Sequence, residues 1–210
     1  MRGVNACWDL LKLLADPKAL EAFRLANKVM AQAARQRRAF TSGTKPEDGK
    51  PPAWRPFQLA FILMNLPAMS DPTHRDRGGV DLLFFPTGGG KTEAYLGLAA
   101  FTLVLHRLKH PDIQSAGLSV LMRYTLRLLT LDQLGRASTL ICALELERQA
   151  NVEKLGTWPF EIGPAVWLFL DSTLQLWLRS RRFSTRLYAR ELTSRDRHDP
   201  STVDESIQPR

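Results

Sequence analysis

Only two cysteines and four histidines occur in the 210 residues. Cys7 and Cys142 are too few for a disulfide framework and have no zinc spacing, so they read as reduced thiols in a cytoplasmic protein. His74 stands alone in a charged loop, and His106, His110 and His198 show no ligand spacing. No apolar run reaches the roughly 18 residues of a membrane span. The first residues carry Asp9 and Asp16 inside their apolar pattern, which excludes a signal peptide. Lysine is missing after Lys154, and Asp204-Glu205 is the only Asp-Glu pair.

What is present is an ordinary apolar share, 44%, enough to fill a core. The net charge of +8 is uneven. Residues 1–50 carry 10 basic and 5 acidic side chains, residues 51–163 carry 11 and 10, and residues 164–210 carry 8 and 6. A basic flank on a near-neutral middle suits a nucleic-acid partner, and it equally suits a solvated helix face.

The most informative stretch is Val80-Asp81-Leu82-Leu83-Phe84-Phe85-Pro86-Thr87-Gly88-Gly89-Gly90-Lys91-Thr92. Apolar residues bounded by glycines predict a strand buried on both faces of a parallel sheet. A glycine loop follows, and Thr92 to Leu105 has helical spacing. Glycine backbones turn their N–H groups inward without a Cβ in the way, and a helix start adds positive dipole. This predicts a polyphosphate cradle at Thr87, Gly88, Gly89 and Gly90. Lys91 supplies charge for the β and γ phosphates and Thr92 a hydroxyl for Mg²⁺, so ATP and Mg²⁺ are the expected ligands. The strict phosphate-loop pattern asks for glycine where Phe85 stands.

Around this stretch, residues 5–15 and 17–39 have helical spacing. Asp16 is the N-cap and Pro17 the first residue of the second helix. Phe23, Ala26, Val29, Met30 and Ala33 are its expected core face, and Arg35, Arg37 and Arg38 suit its negative end. Thr41 to Ala53 reads as a linker. Pro56 starts a further helix with Phe57, Ala60, Phe61 and Met64 as its buried stripe. Helix 92–109 ends near His110-Pro111. Ser119-Val120-Leu121-Met122 is a second expected strand, and helical pattern then runs to about Leu146. The alternation of strand and helix predicts an α/β fold, a partial parallel sheet with flanking helices behind a helical N-terminal extension.

Three strings together resemble one protein family. They are Trp-Arg-Pro-Phe-Gln-Leu-Ala-Phe from Trp54, Phe-Pro-Thr-Gly-Gly-Gly-Lys-Thr-Glu-Ala-Tyr from Phe85, and Val-Leu-Met-Arg-Tyr-Thr-Leu-Arg-Leu-Leu-Thr-Leu-Asp-Gln from Val120. They are similar to the Q motif, motif I and motif Ia of superfamily 2 helicases and translocases. Within these, the wording is most like the large helicase component of DISARM-type bacterial anti-phage defence systems. The resemblance implies a RecA-like ATP-binding lobe, with Gln58 reading adenine and Trp54 or Phe57 stacking. It also implies that Arg123, Thr125 and Arg127 contact a nucleic-acid backbone, with DNA the expected strand, and that other defence-system subunits are partners.

The family's later parts are not evident. A Walker B strand should end in Asp-Glu, yet Pro200 to Val203 before Asp204 is no buried strand. The run Ala165 to Leu170 has the right shape and offers Asp171 as a Mg²⁺ ligand, but Ser172 follows it. The expected division is a helical extension at 1–40, a linker at 41–53, the first part of the ATP-binding domain at 54–163 and a divergent, partly disordered tail at 164–210. The chain reads as the front of a longer ATP-hydrolysing helicase, cut short or frame-shifted near residue 163 and inactive alone. The alternatives are a noncatalytic nucleotide-binding regulatory module and an inactive fragment.

Overall fold

The computed structural model describes residues 2–84, 86, 88–112, 115, 117–123 and 127–163. The helices are α1 (Arg2–Leu14), α2 (Pro17–Ser42), α3 (Pro56–Ser70), α4 (Lys91–Lys109), α5 (Arg127–Ala150) and the short α6 (Val152–Leu155). Asp16 caps α2 as its sequence signal predicts: the side chain accepts from the Lys18 N–H at 2.9 Å, and Pro17 occupies the first turn.

The core forms between helices. α4 packs along α2 and also touches α3, α5 and α6. Ala19, Ala22, Ala26 and Ala33 are buried on α2, and such small side chains let its backbone approach its neighbours closely. Phe101, Leu66, Leu140, Leu144, Leu155, Val29 and Val104 are fully buried between the helices. Gly97 completes the contact between α4 and α3. A Cβ there would lie 2.8 Å from Ile62 Cδ1 and 3.0 Å from Trp54 Cη2, so any larger residue would make these side chains shift.

The expected α/β fold is overturned: the described residues contain helices and no strand or sheet. Residues 80–84 and 117–123 pair with nothing as strands. Val80, Leu82 and Phe84 are 93%, 86% and 89% exposed, and Leu121 is 47% exposed. A strand buried on both faces needs paired neighbours at its edges and layers above and below it. Here the helices close the core on one another, and only Met122 of the second segment packs against it. Residues 164–210, with Asp171, lie outside the described residues.

The buried face of α3 also differs from the expected stripe. Gln58, Ile62, Asn65 and Leu66 are buried, while Met64 is 56% exposed. Pro-Phe-Gln-Leu-Ala-Phe-Ile-Leu-Met is apolar nearly all round, so its spacing does not select a face.

An ion pair fastens the far end of this helical unit. Arg148 Nη2 donates to Glu145 Oε1 at 2.6 Å and Nε to Oε2 at 2.8 Å, a bidentate arrangement. Arg148 Nη1 donates to the Gly156 carbonyl at 3.0 Å, and the Phe160 N–H donates to Glu145 Oε2 at 3.0 Å. Burial alone would raise the Glu145 pKa, but hydrogen bonds from Arg148, Gln149 and the Phe160 N–H outweigh it and hold the carboxyl below its ordinary 4.5. A depressed carboxyl stabilises the fold above its unfolded pKa and loses that contribution as pH falls through its folded pKa. The thermal midpoint is therefore expected to drop once pH goes below about 4.5. Glu145→Gln should flatten that acid limb; a melting series from neutral to pH 3 that is equally steep in both proteins would contradict the assignment.

Candidate phosphate-binding site

Three glycines shape the entry to α4. Gly88 has φ 80° and Gly90, the N-cap, has φ 90°, both in the left-handed region that a Cβ disfavours. The Gly89 N–H donates to the Pro86 carbonyl at 3.0 Å and closes a tight turn. Lys91 opens the helix, and its Nζ folds back to donate to the same Pro86 carbonyl at 3.3 Å. Thr92 follows in the first turn, half-buried. Thr87 lies outside the described residues.

The start of α3 holds this loop from one side. Arg55 Nη1 donates to the Gly89 carbonyl at 2.8 Å, and Gln58 Nε2 donates to the Gly90 carbonyl at 2.8 Å. Gln58 Oε1 accepts the Arg55 N–H at 2.8 Å, and the side chain is 5% exposed. Both ends of the amide expected to read adenine are thus engaged within the chain. A trans peptide points its N–H opposite to its C=O. With the Gly89 and Gly90 carbonyls drawn toward α3, the N–H groups of Gly90 and Lys91 point away from it.

Trp54 serves the same junction. Its Nε1 donates to Asn27 Oδ1 on α2 at 2.6 Å, and the far edge of its ring lies against Gly97. Phe57 is half-buried.

A charged junction sits one residue past Thr92. Glu93 Oε1 accepts from Arg136 Nη1 of α5 at 2.7 Å and from Arg37 Nη1 of α2 at 3.4 Å. Arg136 Nε also donates to Asp132 Oδ2 at 2.8 Å. Sequence reasoning placed Arg37 at the end of α2 and missed Arg55, Glu93 and Arg136. No local pattern signals a pair that lies 43 residues apart.

The expected nucleic-acid residues are less fully described. Arg123 is exposed just ahead of α5, Thr125 lies outside the described residues, and α5 begins at Arg127. Among the described residues, no cluster of three or more His, Cys, Asp or Glu side chains could hold a metal ion. No described helix is long and apolar enough to cross a membrane.

The donor set fits an anion. It combines a glycine turn, a 19-residue helix with its N-terminus at the turn, and a lysine ammonium folded over it. No protein-family model matches the chain. It is similar to the DISARM protein DrmA of Bacillus paralicheniformis, with 44% identity over 165 residues, covering 73% of this chain and 15% of that protein. That degree of identity over that length makes the chain a homologue of one stretch of DrmA.

Proposed function

We propose that the chain binds the phosphates of ATP at the loop from Pro86 to Thr92, as the nucleotide-binding part of a phage-defence helicase or translocase. One observation carries this reading: two left-handed glycines set the start of α4 against a loop over which Lys91 is folded. In this reading the N–H groups of Gly90 and Lys91 meet phosphate oxygens and Lys91 Nζ leaves Pro86 for the phosphate. The Thr92 hydroxyl would hold Mg²⁺. The metal-bound nucleotide would supply the energy of phosphoryl transfer when a complete site surrounds it. Gln58 and Arg55 fix the loop's carbonyls, and Gln58 reaches adenine only by giving up its bond to Gly90. The likeness to DrmA supports a role in DISARM-type defence, with other subunits of that system and a nucleic-acid strand near Arg123, Thr125 and Arg127 as partners.

Calorimetric titration with Mg-ATP tests the site. The parent chain is expected to bind saturably, and Lys91→Ala to bind roughly ten- to a hundredfold more weakly, the worth of one charged hydrogen bond to phosphate. Equal affinity in the two proteins would refute the site. If added single-stranded DNA also raises ATP turnover, the enzyme reading is favoured over a binding module.

A further inference from the structure

The phosphate reading leaves a carboxylate in an awkward place. Glu93 Oε2 would lie 3.6 Å from a Cβ on Gly90, so its charge flanks the loop that is to receive a triphosphate. A lone carboxylate there repels the ligand. Two guanidinium groups converge on its other oxygen, Arg136 at 2.7 Å and Arg37 at 3.4 Å, each from a different helix. The Glu93 side chain is only 27% exposed, and the charges are therefore less screened than those of an open surface pair.

We infer that Arg136 and Arg37 are positioning residues that neutralise Glu93 and make the loop receptive to a polyphosphate, coupling its occupancy to α5 and α2. This rests on the reading of the loop as a phosphate site. An anion on the Lys91 side is repelled by Glu93 unless both arginines stay on that carboxylate. A bound anion therefore favours the arrangement in which Arg136 and Arg37 hold α5 and α2 against α4. The reverse also holds, because coupling is reciprocal: holding α5 in place favours the anion. A purely structural ion pair would lower the melting temperature when either partner is removed, and ATP affinity would not rise on removal of the Glu93 charge.

Calorimetric titration of the full chain with Mg-ATP separates these cases. Arg136→Ala is expected to weaken ATP binding about tenfold. Adding Glu93→Gln to it should restore affinity to within about twofold of the parent, since the repelling charge has gone. Glu93→Gln alone should bind about tenfold more tightly than the parent, and it decides the matter if Arg136→Ala does not fold. Parent-like affinity in Arg136→Ala, a double variant as weak as the single one, or unchanged affinity in Glu93→Gln overturns the inference. If the parent binds no ATP, the phosphate reading itself falls and this inference with it. If the parent binds and loses ATP on Lys91→Ala, only the charge relation is at stake.

Discussion

Gly90→Ala is expected to bind ATP more than about a hundredfold more weakly than the parent while keeping its helical content. Two penalties act on the same atoms. A left-handed residue with a Cβ costs about 1–2 kcal/mol, and Gly90 has φ 90°. The added Cβ would also lie 2.7 Å from Gln58 Nε2, which then loses its bond to the Gly90 carbonyl. Leaving that buried amide unsatisfied costs about 1–3 kcal/mol. The loop escapes both penalties by abandoning its shape, so the cost appears when a ligand must restore that shape. Gly88→Ala is the matched control. Its φ is 80°, but a Cβ there meets nothing within 4 Å, leaving the backbone cost alone. Binding in the order parent, Gly88→Ala, Gly90→Ala is the expected result. Equal affinities for all three would show that the glycine turn does not shape the ligand site.

The second large effect separates the helical core from the expected sheet. Phe101 is fully buried in α4, and Phe101→Ala should cost about 3–5 kcal/mol. For a chain of this size that lowers the melting temperature by roughly 10–15 °C. Phe84 is the same side chain in the segment that reads as a buried strand, yet it is 89% exposed. Phe84→Ala should therefore change stability by no more than about 0.5 kcal/mol. A cost near that of Phe101→Ala would mean that Phe84 is covered in solution and would count against the uncovered segment. Thermal or urea melts of the two variants side by side give the answer directly.

These two phenylalanines also show where sequence reasoning reaches its limit. Helix limits are legible because they are set locally: Asp16-Pro17 begins α2, Pro56 begins α3 and Lys109 closes α4. The core face of α2 is legible too, because Ala26, Val29, Met30 and Ala33 recur at helical spacing among polar residues. What covers an apolar segment is not local. Val80 to Phe84 shows only that its side chains would gain from burial, and no neighbour in sequence says whether a covering layer exists. The same distinction divides the candidate site. Gly88, Gly90 and Lys91 announce a turn and a charge within four residues. The partners of Gln58, by contrast, depend on how α3 meets the loop, and Glu93 with Arg136 depends on how α4 meets α5.

The seating of α2 along α4 has a practical result for anyone dissecting this protein. The largely exposed stretch from Thr44 to Lys50 invites a cut between the first forty residues and the glycine motif. A recombinant piece begun at Trp54 would open the apolar core that α2 shares with α4 to water and deprive the Trp54 indole of Asn27. Split into two co-expressed halves at that stretch, the same residues would instead supply a ready interface for reassembly.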